Sequence, residues 1–494
     1  MLSRRIFLQR ATAAAVAFGG LGSVSALAQQ YRLDPLRGSR GFGELVAKEG
    51  ALLHLPPGFG YRVLTQTGDI MSDGLLTPSA PDGMAAFPVP GNPHQSLLVR
   101  NHELDSIGEE VGPFDRKADV IDKYRKEIFD LYRRDLPVKG GTTTLVVDHT
   151  RGRIERSHLS LAGTARNCAG GATPWGSWLS CEETLAGPEQ GFGRNHGYIF
   201  EVPAAARGLV EARPLKAMGR FVHEAAAVDS TTGIVYLTED SDQAMFYRFI
   251  PETSGELHNG GRLQALVIRD WPAAQTRNWL EDSEDAAARQ VTTTQTFECD
   301  WIDLEEVENP EGDLGERGVA AGAARFCRCE GVAFAQRENG QREIFFAATG
   351  GGPKKIGQVW RYLPSPDEGT SEEKASPARL QMVYETHDRA ILESCDNLAV
   401  APWGDLIICE DSYDSAPDMR NYIRGMTPDG RLYTLAMNAH PDNGEFCGAC
   451  FSADGSTLFV NIQRPGLTLA ITGPWHSLGE RSRQQAMVLN TESV

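Results

Sequence analysis

The chain has 494 residues, a formal net charge of −18, 52 glycines and 27 prolines. An acidic surface of this kind disfavours nucleic acid and anionic membrane as partners, and it also repels phosphate esters unless bound cations reverse the potential locally. The glycine and proline content argues for short strands and tight turns, and all-β propellers reach this length as a single unit.

At the N-terminus, Ser3-Arg4-Arg5-Ile6-Phe7-Leu8 precedes the small, apolar run Ala11 to Leu27, with Ala26-Leu27-Ala28 as a cleavage site. This is the layout of a twin-arginine export signal over residues 1–28, too short and too rich in Gly, Ser and Ala to stay as a membrane span. Cleavage removes Arg4, Arg5 and Arg10 and no acid, taking the net charge from −18 to −21. The mature chain, 29–494, is expected to be a periplasmic or secreted monomer without a stable membrane anchor, whose protein partner is the twin-arginine export machinery. Because that route carries folded proteins, a cofactor can be collected before export.

Helical periodicity is confined to inserts, at about 104–140 and 252–325. In the first, Ile121, Tyr124, Ile128, Leu131 and Tyr132 recur at helical spacing within Arg116 to Leu136. The second is polar and acidic, and neither has the character of a free domain.

Outside these inserts the sequence repeats. Pro174-Trp175-Gly176-Ser177-Trp178-Leu179-Ser180-Cys181-Glu182-Glu183 runs in step with Pro402-Trp403-Gly404-Asp405-Leu406-Ile407-Ile408-Cys409-Glu410-Asp411, 228 residues later. The same register sets Cys168 opposite Asp396. Further copies begin at Asp82, Glu224, Glu330 and, more loosely, Cys447, each followed by small or apolar residues, a turn and a second β-rich run. The second runs end at Asn101-His102-Glu103, Thr238-Glu239-Asp240, Thr349-Gly350-Gly351 and Asn461-Ile462-Gln463. Six units predict an all-β, six-bladed β-propeller with small helical inserts.

In an antiparallel hairpin, the start of the first strand and the end of the second share one edge. If each first strand is innermost, one channel mouth receives Asp82, Glu103, Glu182, Glu183, Glu224, Glu239, Asp240, Glu330, Asp396, Glu410 and Asp411, with Cys168 and Cys447 beside them. A lone acid at a strand end is ordinarily a solvated turn residue; recurrence in register favours a shared rim. Side chains alternate along a strand, so about half of the adjacent acids should face away. Crowded carboxylates must protonate, spread apart or bind cations, and oxygen ligands with one thiolate suit calcium, magnesium or ferric iron together with a transition metal.

As a set, Asn167-Cys168-Ala169-Gly170-Gly171, Trp175-Gly176 with Cys181-Glu182-Glu183, His223-Glu224, Arg328 with Glu330-Gly331, and Cys395-Asp396-Asn397 with Cys409-Glu410-Asp411 resemble the motifs of the PhoX family of calcium-dependent alkaline phosphatases. The resemblance runs from about Gly41 to Trp475. It implies a six-bladed propeller holding two ferric ions and three calcium ions (Fe3+ and Ca2+) around a bridging oxo group, with a thiolate on iron at Cys168. Carried over position by position, the metal ligands fall at Cys168, Glu183, Glu224, Glu330, Asp396 and Glu410, with Glu103 and Asp240 beside them. Arg328 and Asn397 match positions that contact the substrate phosphoryl group. The chain departs from the larger family members in being shorter, so the resemblance does not carry over the loops that shape a substrate pocket.

The expected function is therefore an exported metal-dependent phosphatase acting on small-molecule phosphate monoesters. Two alternatives are a calcium-dependent lactonase or esterase propeller, which has little use for a cysteine ligand, and a non-catalytic metal-binding propeller, which tolerates loss of Arg328. No Gly-x-Ser-x-Gly elbow, nucleotide-binding glycine loop or His-Glu helix motif is present. Of the nine cysteines, one metal-bound thiolate and at most one disulfide are expected, the rest being small buried packing residues.

Overall fold

The computed structural model describes residues 41–105, 108–115, 120–284, 288–412 and 419–477. The predicted export signal lies outside the described residues, and no described helix is long and apolar enough to cross a membrane.

The fold is a β-propeller. Among the described residues, six inner strands begin one residue before the repeat positions read from the sequence: β1 (Pro81–Val89), β2 (Asn167–Ala172), β3 (His223–Val228), β4 (Cys329–Gln336), β5 (Cys395–Val400) and β6 (Phe446–Phe451). They pack side to side in chain order, and β6 packs against β1, so the ring closes. Each pairs antiparallel with the next strand outward: Asn92–His102, Ser177–Glu182, Val235–Glu239, Arg342–Ala348, Leu406–Glu410 and Thr457–Ile462 respectively. The outermost strand of the last unit is Gly60–Gln66, from the start of the described chain, paired with Leu467–Thr472. The two ends of the chain thus close one sheet, which leaves the ring no free inner seam.

Close approach between inner strands follows from the small residue after every rim position but Asp396, which Asn397 follows. A Cβ on Gly331 would lie 2.5 Å from the Asp396 carbonyl oxygen, and one on Gly448 would lie 2.4 Å from that of Asp82. Side chains of one unit then bind the inner strand of the next. Asn101 Nδ2 donates to the Ala169 carbonyl (2.6 Å), Thr238 Oγ1 to that of Glu330 (2.6 Å), and Asn461 Nδ2 to that of Asp82 (2.6 Å). Apolar strand faces fill the space between sheets, most densely where Phe246, Phe346, Phe326 and Trp360 meet. Downstream of the rim positions, the six inner strands line a central cavity of about 280 Å³.

The inserts differ from the expected helices. Ile121–Tyr124 is one helical turn, followed by a two-stranded ladder of Leu131–Tyr132 with Leu136–Pro137. The backbone amides of Phe129 and Asp130 donate to Ala162 and Gly163, so the neighbouring strand captures a segment that the apolar spacing marked as helix. In the second insert, Gly261–Ile268 and Phe297–Asp303 are strands, and the latter pairs with Ala378–Glu385 to join the third and fourth units in a nine-stranded sheet. Its described α-helix is Leu314–Ala320. All nine cysteines are free thiols, Cys447 and Cys450 included.

Candidate metal centre

The rim is built by a kink and a bulge repeated from unit to unit. Ala80, Arg166, Arg328 and Ser394, each two residues before a rim position, have φ between 45° and 50°. The ladder then slips just after the strand start, between Pro81 and Met84, His223 and Ala226, Cys329 and Val332, Cys395 and Leu398, and Cys447 and Cys450. A bulge frees the residue inside it from the ladder and re-aims its side chain. Asp82, Glu224, Glu330 and Asp396 sit inside those bulges, and Cys447 is the ladder-paired residue at the edge of the last.

The returning strand sorts the adjacent acids. Glu182, Glu239 and Glu410 are the last ladder-paired residues, opposite Asn167, His223 and Cys395. Their carboxylates turn into the sheets. Glu182 accepts from His196 Nδ1 (2.6 Å) and from the Ala165 and Gly197 amides. Glu239 accepts from the Tyr247 hydroxyl (2.8 Å), and Glu410 from Arg424 Nε (3.0 Å) and the Tyr422 and Glu393 amides. One residue further on, beyond the ladder, Glu103, Glu183 and Asp240 reach the rim, and Asp411 approaches Glu445 within hydrogen-bonding range. His196 itself is fully buried; burial pulls its pKa down, but Glu182 and Asp130 outweigh this and hold it at about 9.

Most of the predicted ligands are brought together. Cys168, Glu183 and Glu224 have donor atoms within 4.8 Å of one another, as do Glu183, Asp240 and Glu330, then Glu224, Glu330 and Asp396, and also Asp82, Glu103 and Cys168. Glu410 is not in these groups; bound to Arg424, it occupies the structural place of Glu182. The aligned repeat already set Glu410 opposite Glu182 and Asp411 opposite Glu183, so the register pointed to Asp411 as the rim member. Glu445, two residues before Cys447, has no acidic counterpart in the other units, and it joins Asp82 and Cys447 in a further group within 4.8 Å. Gln463 ends the second run of its unit, in the place that Glu103 and Asp240 hold in theirs, but carries no charge; its Nε2 lies 2.6–2.7 Å from carboxylate oxygens of Asp82, Glu103 and Glu445.

Two arginines touch the rim. Arg328 donates from Nε to Asp240 (3.0 Å) and from Nη2 to Glu330 (2.5 Å), while Arg166, which sequence reasoning passed over, donates from Nη2 to Glu103 (3.0 Å) and Glu183 (2.9 Å). Asn397 donates to Asp396 Oδ1 (3.1 Å) and accepts from the Gly448 amide (2.8 Å), tying the fifth unit to the sixth.

Burial raises the pKa of Asp82, Glu183, Glu224 and Glu330 well above the carboxylate range, and neighbouring carboxylates add to it. Asp396 is raised to about 8 by burial and by Asp411, and the Cys168 thiol is raised by burial with Asp82 and Glu224 next to it. Each of these groups is held in a form ready to exchange a proton for a cation. Asp82 Oδ1 and Glu224 Oε2 are buried and have no hydrogen-bond partner. Orphaned carboxylate oxygens are costly in a protein interior, and a multivalent cation satisfies them where no donor is present. The donor set therefore fits metal ions.

A closed ring of antiparallel sheets with such a rim defines a class, the β-propeller with a rim of donors for multivalent cations. The chain belongs to the alkaline phosphatase PhoX family, whose model matches residues 40–466. It is accordingly a phosphatase-type hydrolase, from a family whose catalysis depends on metal. Its structure is similar to that of Pseudomonas fluorescens PhoX in complex with vanadate, a transition state analogue, with a TM-score of 0.61 and 18% identity over 85% of this chain and 96% of that one. A gluconolactonase of Xanthomonas campestris matches at a TM-score of 0.38 and 11% identity over 88% of this chain and 99% of that one. A luciferin-regenerating enzyme matches at 0.40 and 7% over 84% and 96%. No curated protein matches by sequence.

Proposed function

We propose that this chain is an exported phosphomonoesterase whose reaction centre is the acidic mouth of a six-bladed propeller, loaded with calcium and ferric iron. The observation that carries the reading is the continuous series of buried rim donors, in which Asp82 Oδ1 and Glu224 Oε2 lack any protein partner. Six inner strands in a closed ring support the blade count.

The residues that would hold the cations are Cys168, Glu103, Glu183, Glu224, Asp240, Glu330 and Asp396, joined by Asp82, Asp411 and Glu445 in place of Glu410. Carboxylate oxygens suit calcium and ferric iron, and the Cys168 sulfur, 3.4 Å from Glu224 Oε1, gives one position transition-metal character. When bound, such ions neutralise charge on the non-bridging oxygens of the phosphoryl group and supply a nucleophile at moderate pH. The protein's own part is to position. Arg328, part-exposed at the rim, presents a planar fork suited to two phosphoryl oxygens. Asn397 commits its amide to Asp396 and so holds that carboxylate in place beside the substrate. Phosphate monoesters are the substrates, as small molecules that reach the mouth from outside.

The test is elemental analysis of natively exported protein, followed by a phosphomonoesterase assay with and without chelator. Calcium and iron retained through purification, with activity abolished by chelation, is the expected result. Full activity in protein stripped of both metals would overturn the reading.

A further inference from the structure

We propose that Arg166 is a second oxyanion-binding arginine of the rim, which with Arg328 forms a two-sided clamp on the phosphoryl group; this rests on the phosphatase reading above. The two residues hold equivalent places in the repeat. Arg166 stands two residues before Cys168 in the second unit, and Arg328 two before Glu330 in the fourth. Both have left-handed backbone, with φ of 46° and 50°. Ala80 and Ser394 occupy the same place in the first and fifth units with φ of 45° and 49°, so the kink belongs to the scaffold. The guanidinium is specific to these two units. A left-handed conformation is unfavourable for a long side chain and persists where its surroundings fix it.

The two guanidinium groups flank one trio of acids. Glu183, Asp240 and Glu330 have oxygens within 4.8 Å of one another. Arg166 approaches from the Glu183 side through Nη2, and Arg328 from the Asp240 and Glu330 side through Nε and Nη2. Arg166 makes both of its carboxylate bonds with Nη2, while its Nε is buried without a partner. Its side chain is 39% exposed and that of Arg328 33%, so both are open in part to the solvent from which substrate arrives. A monoester dianion has three terminal oxygens, more than one arginine can hold, and planar forks on opposite sides match that geometry. In a chain of net charge −18, paired guanidinium groups also help an anion approach an acidic mouth.

The experiment compares metal-loaded wild type with Arg166→Ala, Arg166→Lys and Arg328→Ala. It reads metal content, KM and kcat for p-nitrophenyl phosphate, and inhibition and calorimetric binding by inorganic phosphate. Loss of a charged hydrogen bond predicts that Arg166→Ala weakens phosphate binding and raises KM about tenfold or more at unchanged metal content. Arg166→Lys, which keeps the charge without the fork, should recover only part of this. A purely structural Arg166, holding Glu103 and Glu183, would instead lose metal while the remaining loaded molecules bind phosphate normally. That outcome, or unchanged phosphate binding at full metal content, overturns the clamp and leaves the phosphatase reading standing. Wild type that neither binds phosphate nor turns over the ester would sink both.

Discussion

At the scale of single residues, the rim depends on which acid of each adjacent pair lies beyond the ladder. Glu410 and Asp411 differ by one position, yet one is buried against Arg424 and the other approaches Glu445. Removing one member of a buried ion pair leaves the other charge unpaired and typically costs about 3–5 kcal/mol. Glu410→Gln, which keeps an acceptor, should therefore lower stability toward denaturant by up to about 3 kcal/mol and leave metal content unchanged. Asp411→Asn should do the reverse, retaining stability to within about 1 kcal/mol in the stripped protein but lowering metal content in elemental analysis. Cys168→Ala should lose iron and keep calcium; a variant that retained its full iron would remove the thiolate from the centre. Alternation showed that only one acid of each pair could face inward. The choice between 410 and 411 was also present in the aligned repeat, because Glu410 falls opposite Glu182.

At the scale of elements, the repeating device is an inner strand bulged at its start, entered through a left-handed kink in four units and with a small residue after the rim position in five. Gly331 shows why the small residue is needed, since its missing Cβ makes room for the Asp396 carbonyl and the Leu398 amide of the next inner strand. These contacts are backbone atoms of a closed ring and cannot swing aside. Gly331→Ala should therefore cost about 3 kcal/mol, the upper part of the range for overpacking, measured by urea unfolding. A cost under about 0.5 kcal/mol would mean that the ring can expand. The described part of the first insert, 120–136, shows the opposite case. Its apolar spacing favours a helix, but the Phe129 and Asp130 amides find carbonyl partners on Arg153–Thr164, and this long-range pairing overrides the local preference.

For the whole molecule, the rim is a store of protons that cations displace. Asp82, Glu224, Glu330 and Asp396 have raised pKa values in the folded state, Asp396 about 8, against 3.8 or 4.5 for the unperturbed groups. In metal-free protein at pH below the unperturbed values, both states are protonated and the rim costs nothing. As pH rises, the unfolded chain releases its protons first, so stability falls until the folded pKa values are passed. Chelator-stripped protein should thus lose thermal stability steadily between about pH 5 and pH 8. Loaded protein should show a flatter profile and a higher Tm, because ligands that bind only the folded state stabilise it. Calorimetry across this range with and without chelator checks both slopes, and a stripped protein that gains stability with rising pH would contradict the rim electrostatics.

The repeat, the hairpin register, the small residue after every rim position but Asp396 and most of the acids that converge were legible in the sequence, because a propeller is built from local hairpins that each carry their own turn and alternation. Glu103, Glu183, Glu224, Asp240, Glu330 and Asp396 could be read in that way. The repeat set Gln463 level with Glu103 and Arg166 level with Arg328, but only the tertiary structure decided that these side chains and Glu445 meet the rim acids, and that outer strands replace most of the expected helices. Those outcomes depend on which units become neighbours when the ring closes, and on backbone partners supplied from far along the chain. Neither is encoded in the period of any one segment.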